Sequence, residues 1–171
     1  MAKKTEALGY SPLSVADHLW TALGPIASLM AAAEATTTLR VGSLVFGNDF
    51  RHPVMLAKEV ATLDVLSGGR AILGVGVGWL REEFDAIGVP FDERGPRTDE
   101  AIEALRALWT QDEPTFSGRF SSFDRAKSYP KPAQGSVPIV IGGHTKPAAR
   151  RAGRLGDGFF PARTSPEELA V

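Results

Sequence analysis

The sequence predicts an α/β fold organised around a parallel sheet, and two observations support this prediction. Strand-length apolar runs alternate with segments of helical periodicity along the 171 residues, as expected of parallel strands joined by helical crossovers. The run Ala71–Val77 is apolar throughout, which is typical of a strand buried on both faces. No repeat, low-complexity tract or linker divides the chain, so we expect one domain over residues 1–171.

The clearest local unit is a helix followed by a tight turn and a strand. Pro53 fits the first helical turn, where a missing N–H is tolerated, and apolar residues recur at helical spacing up to Leu66. The Ser-Gly-Gly sequence at 67–69 ends this helix and turns the chain. The strand Ala71–Val77 then runs into a glycine-rich segment, and glycine at a strand end lets another backbone or a ligand come close.

Four elements precede this unit. Gly9 is placed to end an N-terminal helix. Two Val- and Leu-rich runs have strand composition, and the second leads into a Gly-Asn-Asp turn at 47–49. A second helix has one apolar stripe, formed by Ile26, Leu29, Met30 and Ala33. In chain order we expect a helix over 2–8, a strand over 13–16, a helix over 22–35 and a strand over 39–46.

The segment after the central strand is predicted to hold two helices. A short apolar helix face starts at Leu80, and Gly88 ends that helix. Residues 90–96 contain two prolines and are expected to be irregular. Thr98 is placed to cap a helix over 99–109, because acidic residues follow it in the favoured first turn.

The last third of the chain begins with a region rich in turn residues. Pro, Gly and Ser punctuate residues 113–134 around three phenylalanines, which indicates a hairpin or an excursion outside the main sheet. An apolar strand over 137–141 follows, and Thr145 is placed to cap the next helix. A strand over 158–161 comes next, and Pro166 is placed to open one more helix.

Composition and charge exclude several classes of function. The net charge of -1 gives no reason to expect a nucleic acid or an acidic membrane as a partner. Without cysteine, the chain has no disulfide, thiolate metal site or cysteine nucleophile. No signal peptide and no apolar run of the roughly 20 residues that span a membrane are seen, so we expect a cytoplasmic protein. The spacing of His18, His52 and His144 predicts no metal site.

The pattern by itself does not choose between an open sheet and a barrel. The glycines at 74–78 could suggest a dinucleotide-binding loop, but the third glycine of GxGxxG is missing. No acidic residue ends the next strand about 20 residues further on, so a Rossmann fold is disfavoured. A complete eight-stranded β/α barrel typically needs about 250 residues, more than this chain has.

A long motif carries a resemblance to a known family. Residues 51–70 read RHPxxxAKxxATLDxLSGGR, and residues 74–84 read GVGxGWxxxEF. Together they resemble the luciferase-like monooxygenase family, most closely its members that use the deazaflavin coenzyme F420. The resemblance implies a partial TIM-like (β/α) barrel, truncated at both ends, in which this chain supplies about five of eight parallel strands. Residues 113–134 would lie outside that barrel.

A barrel with five parallel strands has two exposed sheet edges, near 13–16 and 158–161, that a closed barrel lacks. Three arrangements remain open: a truncated gene product, edges paired with a partner chain, or a shortened open structure. Members of the family commonly form dimers. We therefore expect a homo-oligomer, or an isolated chain of poor solubility.

In a β/α barrel, the residues at the C-terminal ends of the strands form the site. Asp17 and His18 follow the first predicted strand, and histidine can exchange a proton near neutral pH. The resemblance implies that this pair lies near the reactive ring of the deazaflavin, with His18 catalytic. The alternative is a loop pair that only hydrogen-bonds the backbone.

The second and third strands are expected to contribute to cofactor binding. The resemblance implies that residues 43–45 support the cofactor ring, and family members often have a non-prolyl cis peptide there. A plain core strand is the alternative. Trp79 stands where the family's sugar-phosphate dehydrogenases have a carboxylate, so that reaction is disfavoured and an apolar substrate pocket is expected. The cofactor-binding residues predicted from these strands are Ser43, Leu44, Val45, Asn48, Gly76 and Gly78.

The fourth strand ends in a sequence that is typical of anion sites. Gly142, Gly143, His144 and Thr145 precede a helix, and free N–H groups at a helix N-terminus favour phosphate. Flavin cofactors carry phosphate, and the corresponding loop of the family contributes to phosphate binding. A Gly-Gly turn before a capped helix is also an ordinary strand-to-helix connection, so both interpretations remain.

Other charged residues are predicted to be structural. Asp64 and Arg70 flank the turn at 67–69 and are expected to pair with each other or with the local backbone. Glu82 and Glu83 are interpreted as a solvated helix face.

The sequence thus predicts a luciferase-like oxidoreductase or monooxygenase that binds F420, in preference to FMN, and acts on a small organic substrate. Hydride transfer and oxygen activation are both open, and because a deazaflavin reacts poorly with O₂, the cofactor would decide between them. The alternative is a non-catalytic truncated remnant or a flavin-binding subunit.

Overall fold

A computed structural model describes residues 1–20, 23–162, 164, 165 and 167 of the chain. Its helices are α1 (Ala2–Ala7), α2 (Pro25–Glu34), α3 (Pro53–Leu66), α4 (Arg81–Ile87), α5 (Arg94–Thr110) and α6 (Lys146–Leu155). Its strands are β1 (Leu13–Val15), β2 (Val41–Ser43), β3 (Phe46–Gly47), β4 (Ala71–Gly76), β5 (Phe116–Ser117), β6 (Ser122–Phe123), β7 (Ile139–Gly143) and β8 (Gly158–Pro161). Ala22 and Pro166, where two helices were predicted to begin, lie outside the described residues.

The main sheet is parallel throughout, with the strand order β1-β2-β4-β7-β8. Each strand is joined to the next by a helical crossover, so the predicted α/β architecture with five parallel strands is confirmed. Because parallel strands direct all their C-terminal ends to one edge, the segments that follow β1, β3, β4 and β7 meet there.

The second strand is interrupted where the sequence predicted continuity. β2 and β3 both pair with β4, but Val41 lies opposite Ala71 whereas Phe46 lies opposite Val75. One extra residue is therefore accommodated between the two segments. The peptide bond between Leu44 and Val45, inside this bulge, is cis.

The hydrophobic core lies between the sheet and the helices. Leu29, Leu56, Leu73 and Ile102 are among its fully buried members. Trp109 joins two helices, because its indole N–H donates to the carbonyl oxygen of Ala57 at 3.0 Å. This core holds the helices against the sheet and leaves the C-terminal edge free to form a cavity.

Helix α5 starts earlier than predicted. It begins at Arg94, and Phe91–Glu93 form a 3-10 turn just before it, so residues 90–96 are not irregular. Pro96 is accommodated because the first turn needs no N–H donor. Thr98 is not the cap, because its hydroxyl donates to the carbonyl oxygen of Arg94 at 2.8 Å inside the helix.

Strands β5 and β6 form an antiparallel hairpin that is separate from the main sheet. Its turn is held by Glu100 of α5, whose carboxylate accepts the backbone N–H groups of Arg119, Phe120 and Ser121. The segment then returns to the sheet at Gln134. That residues 113–134 form an excursion outside a barrel stays a prediction.

The N-terminal edge of the sheet is tied together by Asp64 and Arg70, which do not pair with each other. Asp64 is fully buried and accepts the backbone N–H groups of Ala71 and Gln134, at 3.3 and 3.1 Å. Arg70 donates to the carbonyl oxygens of Ser67 and Leu39, at 2.6 and 2.8 Å. Of the two predicted arrangements, pairing with the backbone is confirmed.

Within the described ranges, no helix has the length and apolarity needed to cross a membrane.

Candidate functional site

A cavity of about 780 Å³ lies at the C-terminal edge of the sheet. His18 after β1 and Thr145 after β7 both line it, so the two predicted site regions share one cavity. Most of the predicted site residues reach the cavity: Asp17, His18, Leu44, Val45, Gly76, Gly78, Trp79, Gly142, Gly143, His144 and Thr145. Two do not, Ser43 and Asn48.

Ser43 and Asn48 are turned away from this cavity. Ser43 is 3% exposed, and its hydroxyl donates to the carbonyl oxygen of Gly74 at 2.6 Å, which ties β2 to β4. Asn48 is also buried and lines a separate cavity of about 220 Å³ beside the start of α3. Both were assigned to the site by their position in the chain. Asn48 follows the extra residue between β2 and β3, which changes which side chains point to the cavity, whereas Ser43 precedes it and is held by its hydrogen bond to Gly74.

His18 is held by a residue that the sequence analysis placed in solvent. The two carboxylate oxygens of Glu83, in α4, each lie 3.1 Å from Nδ1 of His18. The same carboxylate accepts the backbone N–H of Leu19 at 2.8 Å. Glu83 is 1% exposed, so its interpretation as a solvated residue is wrong, whereas Glu82 is exposed as predicted. Glu83 is the glutamate of the GVGxGWxxxEF motif, but no local pattern distinguishes it from the exposed Glu82.

Two tryptophans flank the imidazole of His18. The ring of Trp20 is stacked with it at a centroid distance of 6.2 Å, and the ring of Trp79 meets it edge-on at 5.9 Å. Trp79 remains 63% exposed at the cavity mouth. The imidazole therefore has an apolar, aromatic surrounding on two sides and a carboxylate on a third.

The carboxylate of Asp17 contacts Arg51 and Gly47 and makes no hydrogen bond to His18. It forms an ion pair with Arg51 at 2.6 Å and accepts the backbone N–H of Gly47 at 3.3 Å. Arg51 also approaches the carboxylate of Glu59, at 3.5 Å. Asp17 lines the cavity but is 8% exposed, and these contacts fix the end of β1 to the loop before α3. Its geometry is that of an anchor for the neighbouring histidine.

Val45 forms the floor of the cavity, and two glycines make room for it. A Cβ atom at Gly76 would come within 2.5 Å of Val45 Cγ2, and one at Gly142 within 2.6 Å of Val45 Cγ1. The glycines of β4 and β7 thus admit the side chain of Val45. The predicted close approach to these glycines is made by a protein side chain, which gives the cavity a closed apolar floor.

Gly78 has a similar packing reason. Its φ of +79° is one that only glycine adopts readily, and a Cβ there would meet the ring of Phe84 at 2.7 Å. This glycine therefore lets the chain turn from β4 towards α4 while Phe84 fills the space beneath. The turn places Trp79 at the cavity mouth.

The N-terminus of α6 faces the cavity. Thr145 caps the helix as predicted, because its hydroxyl accepts the N–H of Ala148 at 3.4 Å. Gly143 has a φ of +147°, and a Cβ there would meet the side chain of Ala148. The positive end of the helix dipole is thereby directed at the cavity. Arg151, one turn further, forms an ion pair with Asp99, which also pairs with Arg154.

Arg94 is a cation that the sequence analysis missed. It lines the cavity at the start of α5, stacks on the ring of Phe91 at 3.7 Å and donates to the carbonyl oxygen of Phe91 at 2.8 Å. Its hydrogen bond goes to a backbone carbonyl and not to a carboxylate, and within the described part of the chain its Nε has no partner. Because residues 90–96 were interpreted as irregular, the position of Arg94 in a first helical turn was not seen.

Asp49 beside the smaller cavity has a carboxyl with a strongly raised pKa. Burial raises the pKa of its carboxyl to about 6, and Arg97, at 3.8 Å, opposes this only in part. Oδ2 of Asp49 and Oδ1 of the adjacent Asn48 have no hydrogen-bond partner among the described residues. Asp49 lines the smaller cavity and does not reach the one that holds His18.

The arrangement offers two kinds of chemistry in one cavity. His18 can exchange a proton at its free nitrogen, and the α6 N-terminus with Arg94 can bind an anionic group. In the described ranges, no cluster of three or more His, Asp or Glu side chains is placed to hold a metal ion.

Comparison with known proteins gives consistent results. The model of a family described as luciferase-like monooxygenase matches residues 1–171. An F420-dependent glucose-6-phosphate dehydrogenase of Amycolatopsis mediterranei is 37% identical over 93% of this chain and 51% of its own length. An FMNH(2)-dependent dimethylsulfone monooxygenase of Pseudomonas fluorescens is 38% identical over 79% of this chain and 37% of its own length.

Solved structures show the same similarity. The crystal structure of monooxygenase RslO1 from Streptomyces bottropensis matches with a TM-score of 0.90 and 29% identity, over 98% of this chain and 54% of that one. An F420-dependent secondary alcohol dehydrogenase, in complex with an F420-acetone adduct, matches with a TM-score of 0.84 and 29% identity, over 92% and 51%. The chain spans about half the length of the curated relatives it matches.

Proposed function

The chain belongs to the luciferase-like monooxygenase family, and from that premise we propose that it binds a phosphate-bearing redox cofactor, F420 in preference to FMN, and serves an oxidoreductase reaction. The observation that carries the proposal is the shared cavity, which places a proton-exchanging histidine and a helix N-terminus around one space. Its volume of about 780 Å³ lies within the usual range for small-molecule sites.

The residues present fit such a cofactor. The apolar floor formed by Leu44 and Val45 suits a flat ring, and the space above Gly76 and Gly142 is already filled by Val45, so the ring would rest on a solid surface. The phosphate would lie at the start of α6, where the helix dipole favours an anion, and Arg94 adds a positive charge to the lining of the same cavity. Of the residues predicted to bind the cofactor, Leu44 and Val45 would support the ring, and Gly143, His144 and Thr145 would lie at the phosphate.

The bound cofactor would supply the redox step, accepting or donating a hydride. The protein would supply orientation and proton transfer. His18 would exchange a proton with the substrate through Nε2, since Nδ1 is engaged by Glu83. Trp20 and Trp79 would place apolar surface beside His18 and favour an apolar substrate. Trp79 in particular makes a sugar phosphate a poor candidate, because it offers no charge or hydrogen-bond acceptor.

Two features favour F420 over FMN. The GVGxGWxxxEF motif resembles that of F420-dependent members, and a relative and a solved structure that both use F420 are similar over more than nine-tenths of the chain. The FMNH(2)-dependent relative is similar over 79% of the chain, and a solved structure in complex with FMN over 92% of it at 19% identity. With a deazaflavin, hydride transfer is favoured over oxygen activation.

Association with a second copy is part of the same proposal. β1 and β8 each have a neighbour on one side only within the described sheet, and unpaired strand edges favour pairing with another chain. Light scattering would then report a dimer or larger species. A monodisperse monomer would contradict this part of the proposal and leave the cofactor site unaffected.

The test is a fluorescence titration of the purified chain with F420 and with FMN. We expect saturable binding of F420 at least about tenfold tighter than that of FMN. His18→Ala should leave the F420 dissociation constant within about threefold while lowering turnover of small alcohols and carbonyl compounds by roughly 100-fold or more. His52→Ala is the matched control, because His52 is an exposed helix cap and does not line the cavity.

If neither cofactor binds at high micromolar concentration, the proposal is wrong and the chain is a non-catalytic remnant. Binding of FMN in preference to F420 would keep the site but reverse the cofactor assignment. Equal turnover in the His18→Ala variant and the wild type would remove the histidine from the mechanism.

A further inference from the structure

Glu83 lies in the first turn of α4, and its side chain is unusually buried for a carboxylate. It is 1% exposed, although its neighbour Glu82 in the same turn is exposed. It has no arginine or lysine partner among the described residues; its contacts are Nδ1 of His18 and the backbone N–H of Leu19. Burying a carboxylate without a permanent cation is costly, so these contacts need a reason beyond packing.

We propose that Glu83 is the positioning residue of the site, which fixes the proton of the neutral His18 ring on Nδ1 and leaves Nε2 as the acceptor that faces the cavity. Only the use of Nε2 in turnover rests on the proposed function. The tautomer and the ring orientation follow from the contacts of Glu83 itself.

The tautomer follows from hydrogen-bond inventory. An ionised carboxylate can only accept, so a ring nitrogen within hydrogen-bond distance of it must carry the proton. Both oxygens of Glu83 lie 3.1 Å from Nδ1, and no other partner of that nitrogen is present among the described residues. In a neutral imidazole the second nitrogen is then the acceptor. For His18 that nitrogen is Nε2, which has no protein partner in the described ranges.

The ring orientation follows from three contacts on different sides. The carboxylate holds Nδ1, and the rings of Trp20 and Trp79 pack against the imidazole. Glu83 also accepts the N–H of Leu19, so the loop that carries His18 is fixed to α4 at two successive residues. A histidine restrained in this way keeps its free nitrogen in one direction before any ligand arrives.

Glu83→Gln separates positioning from structure. The glutamine oxygen can still accept the N–H of Leu19, and the amide N–H₂ can donate to Nδ1 of His18. The neutral ring is then expected to carry its proton on Nε2, the reverse of the wild type. Glu82→Gln is the matched control, because it makes the same change of charge one residue away, on the same helix turn, at an exposed position.

The primary measurement is a long-range ¹H–¹⁵N NMR spectrum of the full chain, labelled on histidine and without cofactor, at a pH where the ring is neutral. The chain has three histidines, and His18→Asn identifies the resonances of the one in question. We expect the Nδ1–H pattern in wild type and Glu82→Gln, and the Nε2–H pattern in Glu83→Gln. A wild-type spectrum with Nε2–H, or with rapid exchange between tautomers, overturns the proposal even if the variant fails to fold.

The second measurement is turnover. Loss of the correct tautomer should lower kcat of Glu83→Gln by roughly 100- to 10,000-fold, with the cofactor dissociation constant within about threefold of wild type. Glu82→Gln should match the wild type in both. The failure of the proposed function and the failure of this inference can be told apart. If the wild type shows the Nδ1–H pattern but binds neither F420 nor FMN, only the proposed function is refuted. If the cofactor binds but Glu83→Gln keeps the tautomer of the wild type, the role of Glu83 is refuted.

Discussion

Charged groups have different partners at the N-terminal and the C-terminal ends of the parallel strands. At the N-terminal edge, Asp64 accepts from Ala71 and Gln134, and Arg70 donates to several carbonyl oxygens. At the C-terminal edge, Arg94 has no counter-ion among the described residues, and Asp49 keeps one oxygen unpaired. At the same end, Nδ1 of His18 is hydrogen-bonded to Glu83, and Nε2 has no partner among the described residues. At one end the charged groups all serve the fold; at the other the Asp17–Arg51 ion pair does so, while Arg94 and Nε2 of His18 stay available for a ligand.

Glu6 extends the same contrast. Backbone N–H groups of Thr38, Thr37 and Leu39, just before β2, donate to its carboxylate and lower the pKa of Glu6 to about 2. A carboxylate with three backbone donors stays ionised over the working range of pH. The comparison teaches that the charged groups left without a partner in the described residues lie at the C-terminal ends of the strands, where the site of a β/α fold forms.

The largest effect is expected from Asp64→Ala at the N-terminal edge. This change leaves buried N–H groups of Ala71 and Gln134 without an acceptor and should lower the free energy of unfolding by roughly 3–5 kcal/mol. Asp64→Asn keeps one acceptor oxygen and should cost less. Urea unfolding followed by circular dichroism measures both losses. A loss below about 1 kcal/mol for the alanine variant would contradict the structural role of Asp64.

Gly142→Ala tests the floor of the cavity. The new methyl group would overlap Val45 Cγ1, so we expect a loss of roughly 1–3 kcal/mol in unfolding free energy. Val45→Ala in the same chain should recover most of it. Gly153→Ala, inside α6 with no atom near the added Cβ, is the control and should stabilise by up to about 1 kcal/mol. Without recovery in the double variant, Val45 is not what the glycine accommodates.

Asp49→Asn tests the unpaired carboxyl beside the smaller cavity. Because burial raises the pKa of Asp49 from 3.8 to about 6, the native state favours the protonated form, and the wild type loses stability as the pH rises from about 4 through 6. The asparagine variant avoids this loss and should be more stable above pH 6 by about 1–2 kcal/mol, allowing for partial solvent screening.

Thermal unfolding from pH 3.5 to pH 8 measures the difference. The advantage of the variant should grow between about pH 4 and pH 6 and then stay constant. Asp85→Asn, at an exposed position in α4, should show no such change. A difference between Asp49→Asn and wild type that does not vary with pH would show that the carboxyl is not held in its protonated form.

The smallest effect is expected from Arg94→Gln. If the unpaired cation binds the anionic end of the cofactor, its loss should weaken F420 binding about tenfold, equivalent to about 1.4 kcal/mol, and reduce the dependence of binding on salt. Arg150→Gln makes the same change of charge at an exposed site of α6 outside the cavity lining. Equal dissociation constants for the two variants would assign Arg94 to the stack on Phe91 alone.

Much of the site could be read from local signals. His18 and Thr145 each follow an apolar strand, and parallel strands have their C-terminal ends on the same side of the sheet. The sequence therefore predicted that these two residues lie around one space. The cap at Thr145 and the turn at Gly88 followed from local chemistry, and both are confirmed. The start of α5 was misplaced because Pro96 and Gly95 look like helix breakers unless they fall in a first turn.

What the sequence by itself determined is the order of strands and helices, their common direction and therefore the edge where a site would form. These follow from periodicity, capping and apolar runs, all of which act over a few residues. The tertiary structure alone decided which side chains face that edge. Glu83 meets His18 across 65 positions of sequence, and the hydroxyl of Ser43 is bound by Gly74 of a neighbouring strand. Contacts of that range depend on packing, and no local pattern encodes them.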